Sequence, residues 1–306
     1  MNSPEKCRSP GPSKHLKALT PLRGLAAVGV IVHHYPAQVA PFAKSGWVTQ
    51  GYLAVDFFFV LSGFILTHVY GEKFRQGIST GAVGDYLRAR VARIYPVHLL
   101  GIALLAFSNF LFPSVRVNFP GDFKDLIQSV FLVQATGVGN HLNMWNFPAW
   151  SLSAEWWTYL LAIPLFRLTG AGGPWRKVFA AALCFVGLHL LISSRLPSVK
   201  PLDATFRFGV LRCFFEFTLG HCLYALFKNG KWGRALGSAA GAGLSVALVL
   251  TLLHYKLSDI LMVPAYCLLI LCFAHSSGWV LRLLETAPSK TSEKCRIQCT
   301  LCRGLA

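Results

Sequence analysis

The stretch Leu22–His34, LRGLAAVGVIVHH, decides the fold class. Between Arg23 and His33 it carries no polar side chain, and prolines and lysines bound it at about a bilayer's depth. Such a run reads as a membrane-crossing helix. Ionisable groups inside one are costly, so Arg23, His33 and His34 need a reason to be there.

The rest of the chain agrees. Hydrophobic residues make up 54% of the 306 and charged ones only 13%, where soluble proteins carry near a quarter. Mean hydropathy is +0.50. A soluble protein of this composition would lack the polar surface to stay dissolved. Eight apolar spans follow, at 19–37, 50–70, 94–113, 147–168, 177–194, 206–227, 235–254 and 259–281. In lipid the backbone must satisfy its own polar groups, so these spans predict an all-α transmembrane bundle. Leu126 to Val138 is apolar but too short to cross, and reads as an interfacial or re-entrant piece.

The net charge of +17 invites a nucleic-acid reading, but the basic residues fall in alternate gaps between spans. Lys6, Arg8, Lys14 and Lys17 precede the first span. Lys73, Arg75, Arg88, Arg90 and Arg93 follow the second, Arg176 and Lys177 the fourth, and Lys228, Lys231 and Arg234 the sixth. This is the positive-inside pattern, which places both termini in the cytoplasm and leaves no nucleic-acid partner. The chain divides into a basic leader at 1–17, a transmembrane domain at 18–284, and a polar tail at 285–306. The leader lacks the exit of a cleavable signal. The tail's Cys295, Cys299 and Cys302 fall short of the four ligands of structural zinc, so no metal is expected.

Depth brings candidate groups together. At 1.5 Å per residue His34 lies about 22 Å along the first helix, and Asp56 about 8 Å into the returning second one. A carboxylate beside an imidazole orients it as a general base. Arg90 and Arg93, three apart on one helical face, could grip phosphate, but arginines at the cytoplasmic end of a span are ordinary topology anchors, and spacing alone favours that reading. Arg23 carries the same ambiguity. Ser151, Glu155 and Tyr159 recur at four-residue steps on the fourth span, and an embedded carboxylate is a functional candidate. Glu216, with Arg207 and Arg212 nearby, reads as structurally paired.

Four stretches then resemble the membrane-bound acyltransferase 3 family, which includes O-antigen and exopolysaccharide O-acetyltransferases. They are LRGLAAVGVIVHHY, GYLAVDFFFVLSGFIL, RARVARIYPVHLL and WSLSAEWWTYLLAIPLF, with weaker likeness through RFGVLRCFFEFTLGHCLYAL. The family's arginine with a histidine eleven residues on matches Arg23 and His34, which selects His34 over His33. Its R-x-x-R motif, linked to the acyl donor, matches Arg90 and Arg93. Its W-S-L-x-x-E stretch matches Trp150 to Glu155.

The resemblance implies a cytoplasmic acyl-CoA donor, acetyl-CoA in the common case, with phosphates on Arg23, Arg90 and Arg93. It implies an acceptor hydroxyl on an extracytoplasmic or lipid-linked saccharide, or on another hydroxyl compound, and transfer by His34 with Asp56, directly or through an acyl-histidine. Glu155, Trp150 and Ser151 would shape the acceptor pocket. No permanently bound cofactor is implied, and the setting is a bacterial inner membrane. The family usually has ten spans and a closing S-Y-x-x-Y-x-x-H segment. This chain instead turns after Arg282 into its Cys-bearing tail, as a shortened or inactive homologue would. A proton-coupled transporter would bury similar residues, but the paired broken helices of such proteins have no counterpart here.

Overall fold

The computed structural model describes residues 16, 18–34, 45–111, 123–137, 145–168, 173–195, 205–231 and 233–276. The basic leader and the Cys-bearing tail lie outside these residues, apart from Leu16. Among the described residues every regular element is helical, as the all-α reading requires. In chain order they begin with α1 (Leu19–His34) and the short α2 (Gly46–Thr49). A 3-10 turn (Gly51–Leu53) then opens α3 (Ala54–Leu66). A π-helical turn (Thr67–Gly71) carries α3 into α4 (Glu72–Gln76). Then come α5 (Thr80–Leu111), α6 (Phe123–Val130), α7 (Trp150–Leu168), α8 (Pro174–Arg195) and α9 (Gly209–Asn229). Last are α10 (Gly233–Leu236), α11 (Ala239–His254) and α12 (Met262–His275).

A helix stands at each of the eight apolar spans. Four stretches, Gly51–Gln76, Thr80–Ser108, Pro174–Arg195 and Gly209–Asn229, are long and apolar enough to cross a membrane. The shorter apolar helices Ala239–His254 and Asp259–His275 accompany them. The wide basic gap read between the second and third spans is not a loop. Only Gly77–Ser79 separate α4 from α5, so Arg88, Arg90 and Arg93 sit on the same continuous helix as the apolar span. Polar composition marked a gap where backbone propensity carries a helix outward.

The bundle is organised on α3 and α9, which cross where both carry glycine. A methyl group on Gly63 would run into the Phe217 carbonyl, and one on Gly220 into the Val60 carbonyl. With no hydrophobic force between helices in lipid, this close backbone approach is what packing can exploit. Phe57, Phe59, Phe64 and Phe217 fill the space around the crossing.

Leu126 to Val138 does not form a further span. Its described part is α6 followed by turns through Gly137. Leu132, with φ of 55°, presents its carbonyl to the Ser153 hydroxyl at 2.5 Å and to the Trp157 indole N–H at 2.9 Å. The Ala135 N–H donates to Ser153 Oγ at 3.1 Å. Irregular backbone is sustained here because α7 supplies its hydrogen-bond partners.

Candidate active site

A cavity of about 400 Å3 opens between α1, α3, α5 and α7. Arg23, Val30, Phe58, Arg93, Ser151 and Glu155 line it. A narrower extension of about 20 Å3 reaches Ser62, Arg90 and Tyr159. The polar stripe read on α7 is therefore real as geometry: Ser151 and Glu155 face the wide part and Tyr159 the narrow one.

Arg23, Arg90 and Arg93 come together from two helices distant in sequence. Among the described residues none of them has a carboxylate within 4 Å, although Glu155 lies within electrostatic reach of Arg23. The Glu155 carboxylate is instead held by the Ser62 hydroxyl, which donates to Oε1 at 2.5 Å. Arg90 is caged by aromatic rings, its guanidinium carbon 5.5, 5.8 and 5.9 Å from the ring centres of Tyr159, Tyr70 and Tyr86. Among the described residues its buried Nε has no hydrogen-bond partner. The cage fixes the cation over ring faces without neutralising it. Tyr86 is itself fixed by donating to the Tyr159 carbonyl at 3.0 Å, and Tyr70 rides on the π-helical turn.

His34 stands one turn beyond Val30 on the face of α1 that carries Arg23 and Ala27, exposed and outside the residues that line the cavity. The expected pairing with Asp56 does not form. His34 Nδ1 bonds the Val30 carbonyl at 2.8 Å. A carbonyl only accepts, so Nδ1 holds the proton of the neutral ring and Nε2 keeps its lone pair for base chemistry. Asp56 faces α9 instead, where Arg212 donates to Oδ1 from Nε at 2.8 Å and from Nη2 at 2.6 Å. The reason is rotational: depth along two helices was readable, but α3 turns its carboxylate toward the helix it packs against most closely. Glu216 joins the same cluster, Oε1 lying 3.5 Å from Arg212 Nε, so its expected structural pairing holds for Arg212. His33 Nδ1 bonds the Val48 carbonyl at 2.9 Å and pins α2.

Trp150 is also placed differently from its expected pocket role. It is buried behind the cavity wall, its ring centre 5.3 Å from the Arg212 guanidinium carbon and 6.2 Å from the Phe59 ring. Ser151 is on the cavity, its hydroxyl donating to the Pro148 carbonyl at 3.2 Å. Ser62 and the tyrosine cage went unread in the sequence, because their partners lie on other helices. Arg212 carried a signal, its four-residue spacing from Glu216.

The acyltransferase 3 family model, an acyltransferase domain, matches residues 16–291. The chain belongs to this family. The acyltransferase MdmB of Streptomyces mycarofaciens is 28% identical over 258 residues, covering 76% of this chain and 62% of its own length. Protein 2 in the picA locus of Rhizobium radiobacter is 43% identical over 98 residues, 32% of this chain and 48% of that protein. The peptidoglycan O-acetyltransferase OatA of Listeria monocytogenes is 24% identical over 171 residues, 56% of this chain and 22% of its own length. The chain thus spans less than two thirds of each of these relatives. No solved structure matches significantly. Membership and the apolar helices together make this a membrane protein of an acyltransferase family.

Proposed function

We propose that residues 18–284 form a membrane O-acyltransferase domain that moves an acyl group, acetyl in the simplest case, from cytoplasmic acyl-CoA to a saccharide hydroxyl. The carrying observation is the convergence of Arg23 and Arg93 on a cavity of about 400 Å3 and, with Arg90, on its narrow neighbour, none of the three having a carboxylate within 4 Å among the described residues, with His34 further along the same face of α1. Guanidiniums without a carboxylate at pairing distance, one of them held in a tyrosine cage, suit the phosphates of a coenzyme A donor. His34 is about 16 Å along the helix from Arg23 at 1.5 Å per residue. That interval leaves room for the donor's arm to lie along α1 with its thioester near His34.

In the reaction, Nε2 of His34 takes the proton of the acceptor hydroxyl while its oxygen attacks the thioester carbonyl carbon. The carbon–sulfur bond breaks as the ester forms, and the proton passes to the departing thiolate. Glu155, held by Ser62, balances part of the positive field of the arginines, and Ser151 offers a hydroxyl toward the acceptor. Asp56 and Trp150 act at one remove, as parts of the cluster that braces α3 and α7. The alternating basic gaps support a multi-pass protein of the bacterial inner membrane with both termini and the arginine end in the cytoplasm.

The decisive experiment measures acetylation of surface polysaccharide in cells expressing wild type or His34→Ala at matched levels. General-base catalysis is worth about 10²- to 10⁴-fold, so a loss of that order is expected. Undiminished transfer by the variant ends the proposal. A reporter fused after Arg93 is expected to read as cytoplasmic, and an extracytoplasmic signal there reverses the assigned donor side.

A further inference from the structure

On the neighbouring face of α1 lies a second cavity that the acyl-transfer site does not use. It measures about 210 Å3 and is bounded by α1, α2, α3, α11 and α12. Its α1 wall is Leu22, Leu25, Ala26 and Gly29, whereas Arg23, Ala27 and Val30 face the arginine cavity. A single helix therefore separates the two. The opposite wall is Val246, Val249, Leu250 and Leu253 of α11, with Phe57 and Tyr266 behind.

The end nearest His33 is roofed. His33 ties α2 to α1 through the Val48 carbonyl, and the Trp47 indole N–H donates to His254 Nδ1 at 3.2 Å, tying α2 to α11. Gly46 lets α2 press directly on the backbone of α11, since a methyl there would meet the Leu253 carbonyl. Among the described residues the α1 and α11 walls are the exposed side of the crevice, with Leu25 67% and Leu250 37% exposed. In a membrane that side faces hydrocarbon.

One wall group is out of keeping with this lining. Gln50 is 2% exposed, and among the described residues its Oε1 has no hydrogen-bond partner. A buried amide left unsatisfied is costly. Hydrocarbon alone would fill the walls but leave that amide bare. A single alkyl or isoprenoid chain bearing a polar head with hydroxyls would meet both demands. The volume holds roughly seven groups of water size at about 30 Å3 each, hence one chain segment and not a folded partner. Gly29 is five residues before His34, about 7–8 Å along the helix axis, so a chain held there ends near the depth of His34 but on the opposite face of α1, and its head reaches the histidine only by passing the end of that helix.

We infer that this crevice binds the hydrocarbon chain of a glycolipid acceptor, entering laterally between α1 and α11. The inference rests on the acyltransferase reading for the chain being the acceptor's, but occupancy can be read without any transfer. The full chain in phosphatidylcholine nanodiscs is photolabelled with a hexadecyl glucoside carrying a diazirine midway along its chain, with and without excess unlabelled hexadecyl glucoside. Competed label is expected on the peptides of α1 and α11 that line the crevice. Gly29→Phe fills it; a side chain begins there without clash, Ala54 Cβ lying 3.9 Å away. Val246→Phe narrows it from the other wall.

Each filling variant, first shown to elute as a monodisperse species, is expected to lose competed label at least about tenfold, the equivalent of roughly two buried methylenes. Val28→Phe, on the exposed face of α1, is expected to keep it. Label spread evenly over lipid-facing helices without competition overturns the proposal, as does full competed label in both filling variants. If label enters the crevice while His34→Ala and wild type transfer equally, the transfer chemistry fails and the chain site stands.

Discussion

Two clusters of charge sit within the same bundle and are built in opposite ways. Asp56, Arg212 and Glu216 are sealed, each at most 1% exposed, with the guanidinium shared between two carboxylates and covered by Trp150 and Phe59. Among the described residues Arg23, Arg90 and Arg93 have no carboxylate within 4 Å, and they line open volume. The first cluster has its counter-charges supplied by the fold. The second is left for something else to neutralise. Buried pairs are weak evidence for net stability, yet stripping one partner from them is severe. Unpaired cations at a cavity cost the fold something, and a bound anion returns it.

The sharpest way to break this contrast is Arg212→Met, which strands two buried carboxylates. About 3–5 kcal/mol of stability should be lost, visible as a large drop in the temperature at which the solubilised protein leaves its monodisperse elution peak. A variant as stable as wild type would show that the cluster is not sealed. The matching change on the open side is Arg93→Ala. Here stability is expected to hold while the KM for acetyl-CoA rises by about 1.5–3 kcal/mol in binding terms, the worth of hydrogen bonds to a charged group. A fall in kcat with KM untouched would move Arg93 from donor binding to chemistry.

Gly220→Ala addresses the crossing that carries the sealed cluster. The added methyl meets the Val60 carbonyl, and about 1–3 kcal/mol of destabilisation is expected from forced backbone movement. The same change at Gly24, where a Cβ meets nothing within 4 Å, should be silent in the same thermal assay. The smallest expected effect is the most discriminating. Asp56→Asn should lower the amount of folded protein but leave the pH profile of transfer per folded molecule in place, since His34 is oriented by the Val30 carbonyl. A carboxylate beside an imidazole favours its charged form. A profile whose acid limb moves to lower pH in Asp56→Asn would therefore restore the discarded pairing.

Within a single helix the sequence was informative. The face of α1 running from Arg23 through Ala27 and Val30 to His34 follows from helical period, as does the stripe Ser151–Glu155–Tyr159. So does the pairing of Arg212 with Glu216. Between helices it was not. Asp56 and His34 were matched by depth, but depth says nothing of rotation about each axis. The family's W-S-L-x-x-E motif groups Trp150 with Glu155, though five residues along a helix place side chains on different faces.

The amino-acid sequence by itself determined the apolar spans, their all-helical form and the residues sharing each helix face, because the lipid phase forces every span to satisfy its own backbone. The tertiary structure alone decided which faces meet. The glycine crossing of α3 and α9 turns Asp56 toward Arg212, and the packing of α1, α5 and α7 brings three uncompensated arginines to one cavity. Leu22–His34 lies between these two kinds of information. Its period sets Arg23 and His34 on one face, and only its neighbours make the adjacent face the wall of a second, apolar cavity.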